Sequence, residues 1–335
     1  MISYIGGKSI IGKWIREYIP TDIETYVETF GGMFWVYFCM EDKYPNLKNV
    51  VYNDFNQLNW NLFENVRGSN YKELGELLNA HDCQQYGTEN ADSPEVLQTR
   101  IDTFNSYQKE IFADDFKITN DNSKEVAMKY AFVLTQIFSG SQPEKAKYID
   151  FKGKYKPKFR TFREKLTTSK YDRFQRQLEN ITISENMDFG EVIEKYDSPS
   201  TYFYVDPPYW KTENYYSKHD FDRNDHERLC TQLKNVQGKW GLSYYDFELL
   251  QEWLPKNEFI WEEKQFTKQA GTKKDGTRDK GTELLIMNYK FEEQIEEDEL
   301  NKRIDIIGQN GNDGLHYDEI DKNKNNLIGE FFDNE

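Results

Sequence analysis

Cysteine is scarce. Cys39, Cys83 and Cys230 are the only three in 335 residues, and no two form a C-x-x-C pair. So sparse and odd a set excludes a secreted disulfide scaffold and a cysteine-built zinc site. The four histidines, His81, His219, His226 and His316, fit no ligand spacing either, so no metal is expected. No apolar run approaches the roughly 20 residues that a membrane helix needs. The opening Met-Ile-Ser-Tyr-Ile-Gly-Gly-Lys lacks the charged and then apolar pattern of a signal peptide. These absences predict a soluble, reduced, cytoplasmic protein with no membrane partner. What the chain has in abundance is aromatics, at 16%, too many for a disordered chain.

The formal net charge is -16, but it is unevenly spread. Residues 292–335 hold 14 acidic and 4 basic residues and read as a flexible acidic tail. The stretch 145–176 holds 12 basic and 3 acidic residues. Whole-chain charge argues against a polyanionic partner. Local charge argues for one, and it decides, because charges act over a Debye length of about 8–10 Å.

Ile10, Ile11, Trp14, Ile15, Tyr18 and Ile19 recur at helical spacing, and Pro20 closes that helix. Thr25–Phe30 reads as a strand broken by Gly31-Gly32. A helix over Met33–Met40 and a strand over Asn49–Tyr52, ending at Asn53-Asp54, follow. Strand, glycine turn, helix, strand and acid open a nucleotide-binding α/β unit. Residues 67–123 are polar and predict short helices; Lys124–Phe138 has an apolar face. The α/β pattern resumes with a strand over Thr201–Val205. Asn224 and Glu227 are spaced as a capping box before a helix to about Val236. Strands through Gly241-Leu242-Ser243 and over Leu284–Tyr289 complete the pattern. In the basic stretch, lysines and aromatics alternate through 151–159, which predicts an extended ribbon. Lys264–Lys280 reads as a second basic loop, Gly- and Lys-rich, able to close over a polyanion.

Gly6-Gly7-Lys8-Ser9 looks in part like a phosphate-binding loop, but Ile2 stands where that motif needs its first glycine. Asp321-Lys322-Asn323-Lys324-Asn325 looks like a calcium loop, but Asn326 and Phe332 replace its glycine and its bidentate glutamate. Asp206-Pro207-Pro208-Tyr209 is the sharpest motif. Two prolines cannot continue a strand, so the turn presents Asp206 and a backbone carbonyl at the strand's carboxyl end. Open α/β sheets bind ligands at that edge. Two such acceptors can hold both protons of an exocyclic nucleobase amine, directing its lone pair at an electrophile. The aromatic that follows offers a face to an unstacked base.

In this order, Tyr4-Ile5-Gly6-Gly7-Lys8, Glu28-Thr29-Phe30-Gly31-Gly32, Asn53-Asp54 and Asp206-Pro207-Pro208-Tyr209, with Leu242-Ser243 and Glu283-Leu284-Leu285-Ile286 downstream, the chain resembles the Dam-like DNA adenine-N6 methyltransferases over about residues 1–291. The resemblance implies a seven-stranded, Rossmann-like α/β sheet with an inserted, mostly helical recognition domain. Residues 1–66 and 181–291 would form the catalytic domain and 67–180 the target-recognition insert. The implied reaction is site-specific methylation of adenine N6 in double-stranded DNA, from S-adenosylmethionine to S-adenosylhomocysteine without a metal. The setting would be a bacterial or phage-infected cell. Asp206, Pro207 and Tyr209 would be catalytic; Tyr4, Lys8, Glu28, Phe30, Gly32, Asp54 and Asp206 would bind the cofactor, Asp54 through ribose hydroxyls. Lys152, Lys154, Lys156, Lys158, Arg160 and Arg163 are the expected DNA contacts. Thr29 and Met33-Phe34 stand where the family carries a proline and a second small residue. Cytosine-N4 or RNA methylation, or a silent DNA-binding module, are the alternative readings.

Overall fold

Strands β1 (Thr25–Glu28), β2 (Asn49–Asn53), β3 (Ile183–Glu185), β4 (Thr201–Val205), β5 (Lys239–Tyr244), β6 (Ile260–Thr272) and β7 (Arg278–Met287) form one sheet in the order β3-β2-β1-β4-β5-β7-β6. A computed structural model describes all residues except 1, 3–6, 9, 41–42, 87–92, 139–140, 150–157, 212–220, 273–277 and 292–335, and the side chains of 83–86, 268–272 and 278–279. Residues Met1–Tyr289 form one compact unit and Lys290–Glu335 another, which lies almost wholly outside the described residues. Strands β3, β2, β1, β4 and β5 are parallel; β7 runs antiparallel to β5, and β6 antiparallel to β7. The chain leaves β1 for β2 on one side, while β4 lies on the other. The switch point therefore falls between β1 and β4, where a crevice opens at the carboxyl edge. This is the seven-stranded, Rossmann-like α/β sheet that the sequence predicts.

Alternation along the strands divides the core between two faces. Tyr26, Tyr52, Tyr202 and Tyr204 join one cluster, and Val27, Val51, Phe203 and Val205 the other. Tyr26 stacks on its register partner Tyr202 with ring centroids 6.0 Å apart. Tyr52 stacks on Phe63 of the helix Gln57–Glu64 at 3.9 Å. Each buried ring removes about 150–250 Å² from water, so this aromatic face contributes much of the core's burial.

Between β2 and β3 the chain is helical. The expected short helices of 67–123 are instead Tyr71–Tyr86 and Pro94–Ile111, of 16 and 18 residues. Buried residues at helical spacing, Tyr71, Leu74 and Leu78 in one and Phe104 and Ile111 in the other, support that length. Ser93 caps the second, accepting a hydrogen bond from the Val96 amide at 3.3 Å. The apolar segment near 124–138 is the helix Ser123–Thr135. The expected ribbon is corrected at its end: Lys158 begins the helix Lys158–Thr167. Phe159, Phe162 and Leu166 are buried there at helical, not strand, spacing. Residues 151–157 of that expected ribbon lie outside the described residues.

Two further expectations are corrected. The capping box belongs to Asp222 and Asp225, not Asn224 and Glu227: the Asp222 carboxylate accepts from the amides of Asn224 and Asp225, and the Asp225 side chain accepts from the Asp222 amide. Both pairs have the spacing, but Asp222 is the residue with extended backbone. The helix it opens, Arg223–Leu233, also ends short of Val236. Lys264–Lys280 is mostly strand, belonging to β6 and β7.

Candidate active site

Three loops leave the carboxyl ends of β1, β2 and β4 and meet over the switch point. The first is the glycine turn. A Cβ on Gly31 would lie 2.4 Å from Tyr52 Cε2 and 2.8 Å from the Asn53 carbonyl, so only glycine fits there. Gly32 adopts φ 49° and Phe34 φ 55°. A bulky residue in that left-handed region is uncommon and strained. Phe34 stays there because its fully buried ring packs against Tyr37, Tyr52 and Phe63, with centroids 4.7, 5.2 and 5.7 Å away.

Asp54, at the end of β2, fastens this turn. Its Oδ2 accepts from the Gly32 amide at 2.7 Å and from Asn59 Nδ2 at 3.0 Å; its Oδ1 accepts from the Asn56 amide at 2.7 Å. Tyr130 in turn donates to Asn59 Oδ1 at 2.8 Å, tying the helix Ser123–Thr135 to the site. Three of the carboxylate's roughly four acceptor positions are thus taken by the chain itself. Glu28, the last residue of β1, is buried and accepts from Tyr26 Oη at 2.7 Å and the Tyr37 amide at 2.9 Å. Burial outweighs these bonds and pushes its carboxyl up to about 8.

The third loop carries the Asp-Pro-Pro-Tyr turn. Lys8 Nζ donates to Asp206 Oδ1 at 2.7 Å, stands 3.4 Å from Glu283 Oε1 and lies 4.8 Å from the centre of the Tyr209 ring. Tyr209 donates its hydroxyl proton to Glu283 Oε1. Burial raises the carboxyls of both Asp206 and Glu283, against the pull of Lys8. Burial works to lower Lys8, but attraction from the two carboxylates wins and holds its ammonium above the usual lysine range. Tyr204 and Ser243 share a hydrogen bond of 2.8 Å beneath the cluster.

These loops enclose a cavity of about 310 Å³ lined by Lys8, Glu28, Phe30, Gly32, Asp54 and Asp206 among others. The structure therefore brings together six of the expected site residues; Tyr4 lies outside the described ones. Pro208 lines the same cavity. The sequence reading missed Met187, Asp188, Phe189, Phe221 and Arg228, which line the same cavity. Phe30, Phe189 and Phe221 stand with their centroids 5.5–5.8 Å apart. Arg228 covers the Phe189 ring at 3.9 Å and grips Asp188 through two bonds, of 2.7 and 2.9 Å. An Asp opening an apolar helix, as Asp188 does for Phe189–Tyr196, is a legible cap; nothing local marks it as cavity-lining. Thr29 belongs to the cavity lining, and its Oγ1 is buried without a protein partner.

Of the expected DNA contacts, the described ones, Lys158, Arg160 and Arg163, do not line this cavity. Lys152, Lys154 and Lys156 are outside the described residues. Arg160 and Arg163 both bind the buried Asp82, at 2.9 and 2.7 Å, and Lys158 Nζ donates to the Ile137 carbonyl at 3.3 Å. Two guanidiniums on one buried carboxylate hold helix Lys158–Thr167 against Tyr71–Tyr86.

Residues 4–269 match the model of the D12 class N6 adenine-specific DNA methyltransferases. The chain belongs to this family. A type II methyltransferase, M.CviBI of Paramecium bursaria Chlorella virus NC1A, is 20% identical over 292 residues, covering 86% of this chain and 99% of that one. The solved rRNA methyltransferase aviRa from Streptomyces viridochromogenes shares 13% identity over 83% of this chain and 82% of that one, with a TM-score of 0.28, too low to bear on substrate. As a D12 class member the chain is a DNA methyltransferase, and the family implies S-adenosylmethionine as methyl donor. The cavity suits such a molecule: it joins apolar rings with carboxyls and the backbone of a glycine turn. Among the described residues no group of three or more His, Cys, Asp or Glu could hold a metal, and no helix is long and apolar enough to cross a membrane.

Proposed function

We propose that the protein methylates adenine N6 at a specific site in double-stranded DNA, acting on a base turned out of the duplex. The observation that carries this reading is the meeting of Asp206, Lys8, Glu283 and Tyr209 at the end of β4, beside a cavity that runs to Glu28 and Asp54.

S-adenosylmethionine supplies an electrophilic methyl group on a sulfonium. Glu28, Thr29, Phe30 and Gly32 line its side of the cavity, with Phe189 and Phe221 packed against Phe30. Asp54 acts by holding the glycine turn in place, and its hydrogen bonds favour that role over the ribose contact expected from its position. In the proposed pose the Asp206 carboxylate and the Pro207 carbonyl accept the two amino protons. The nitrogen's lone pair then points away from the ring plane toward the methyl carbon. Lys8 fixes the Asp206 rotamer, so the acceptor is oriented before the base arrives. Tyr209, held by Glu283, offers the ring face not covered by Lys8. As the N–C bond forms and the S–C bond breaks, the amino nitrogen becomes positive. Asp206 stabilises that charge and takes the departing proton, which its raised carboxyl pKa favours.

Residues 67–180, which include the helices between β2 and β3, are proposed as the target-recognition insert on the catalytic body of 1–66 and 181–291. The test is direct. Duplex oligonucleotides incubated with the protein and labelled cofactor are digested to nucleosides. Label in N6-methyl-2′-deoxyadenosine supports the reading; label confined to N4-methyl-2′-deoxycytidine, or found only when an RNA substrate replaces the duplex, overturns it.

A further inference from the structure

Strand β5 ends at Tyr244, which pairs with Leu284 of β7. Strands β6 and β7 do not stop there. Lys264 pairs with Glu283, Gln265 with Thr282, Phe266 with Gly281, Thr267 with Lys280, and, after a register shift, Thr272 with Arg278. Because β7 is antiparallel to β5, residues before Leu284 run out past the carboxyl end of β5. That is the edge bearing Asp206. At about 3.4 Å per residue, the stretch from Leu284 back to Arg278 reaches about 20 Å beyond the sheet.

The charge on this ribbon is opposite to that at its base. Its strand residues 264–272 and 278–280 hold 4 basic residues and 1 acidic one. Lys264 and Lys280 are exposed. Lys280 and Thr267, as a register pair, share one face, and Lys264 and Glu283 the other. The cavity below is lined by Asp54, Asp188, Asp206, Asp225 and a protonated Glu28, against the two cations Lys8 and Arg228, so acid stays in excess. Such a mouth repels phosphates, so a duplex brought to it needs cations close by. Among the described residues the basic helix Lys158–Thr167 does not offer them freely, since Arg160 and Arg163 are bound to Asp82.

We infer that the projecting β6–β7 ribbon is a DNA-contacting arm, which lies along the duplex and sets Lys264 and Lys280 against phosphates flanking the target base. A two-stranded ribbon is of a size that the major groove admits. The inference rests on the reading of the protein as a DNA adenine methyltransferase and adds to it a surface that touches neither cofactor nor reacting atoms.

The experiment uses the full chain and two double variants, Lys264→Ala/Lys280→Ala and Lys264→Arg/Lys280→Arg. Affinity for a methylatable duplex is measured by fluorescence anisotropy over a salt series, and S-adenosylhomocysteine binding by calorimetry. Each phosphate contact contributes about 0.9 to the slope of log K against log salt. The alanine variant should flatten the slope by about 1.8 and raise KM for DNA, with kcat and S-adenosylhomocysteine binding unchanged. The arginine variant should keep the wild-type slope. An alanine variant with the wild-type slope, or an arginine variant as flat as the alanine one, overturns the inference. A wild-type protein that binds and methylates DNA in the same assay keeps that failure apart from failure of the functional reading.

Discussion

Lys8 Nζ lies 2.7 Å from Asp206 Oδ1 and 3.4 Å from Glu283 Oε1, so one buried cation serves two buried carboxylates from β7 and the loop after β4. Removing it leaves both carboxylates without their counter-charge. Lys8→Met should cost about 3–5 kcal/mol, the usual loss on breaking a buried pair. The loss should depend on pH. Burial already raises both carboxyls, so they are held protonated more firmly in the folded than in the unfolded chain. Without Lys8 that difference widens, and the variant should lose more stability at pH 8 than at pH 5. Urea denaturation at the two pH values measures it; an equal loss at both would mean that Lys8 acts through packing.

Glu28 makes a second pH prediction. Its carboxyl is raised to about 8 by burial, while the unfolded chain ionises near the ordinary glutamate value. Between those values the folded state binds one proton more, so stability falls as pH rises, by about 1.4 kcal/mol per unit for a single group. Glu28→Gln keeps an acceptor for Tyr26 and Tyr37 and cannot ionise. Its stability should therefore lack this component between about pH 5 and 8. Chemical denaturation of both proteins across that range should give curves that diverge; parallel curves would contradict the buried, protonated Glu28.

Asp54→Ala removes the acceptor that fastens Gly32, Asn56 and Asn59. Buried hydrogen bonds to a charged group are worth about 1.5–3 kcal/mol. The variant should lose stability in the absence of cofactor and weaken S-adenosylhomocysteine binding as well. Thermal denaturation of the cofactor-free protein separates the roles. An unchanged melting temperature with weakened binding would restore the direct ribose contact.

Much of this architecture was legible in the residues. Aromatic and β-branched runs ending at Gly31-Gly32, Asp54 and Asp206-Pro207 marked β1, β2 and β4, because backbone breakers sit where the strands stop. Lys8, Glu28 and Asp206 could be brought together through the family resemblance, since nothing local to each foretells a neighbour 198 residues away. Strand β6 was missed: Glu262, Glu263, Lys264 and Gln265 form a polar run at a sheet edge, where pairing with β7 and not apolar burial sets the conformation. Phe189, Phe221 and Arg228 were missed because they reach the cavity from segments whose motifs are helix caps, which foretell a helix and not a site. Arg160 and Arg163 looked like free phosphate contacts because Asp82, which binds them, lies 78 and 81 residues away in the chain.

Phe34 sets two magnitudes against each other. Its left-handed backbone costs about 1–3 kcal/mol, whereas emptying a buried phenylalanine site costs about 3–5 kcal/mol. Phe34→Gly relieves the first and incurs the second. The variant should be destabilised, by less than Phe34→Ala, which incurs the cavity and keeps the strain. Denaturant midpoints of the two variants test the order, and a Phe34→Ala protein as stable as Phe34→Gly would contradict strain at this position.

The central claim is that the group at the end of β4 drives methyl transfer to adenine N6. Single-turnover methylation of a duplex by the wild type and Asp206→Ala, with the cofactor and DNA affinities of both measured, tests it most directly. The account predicts N6-methyladenine formation by the wild type and a rate at least about 100-fold lower in Asp206→Ala, the scale seen when one preorganised polar group is removed from a transition state, with both affinities kept within a few-fold. A variant that methylates adenine at the wild-type rate would place the chemistry elsewhere.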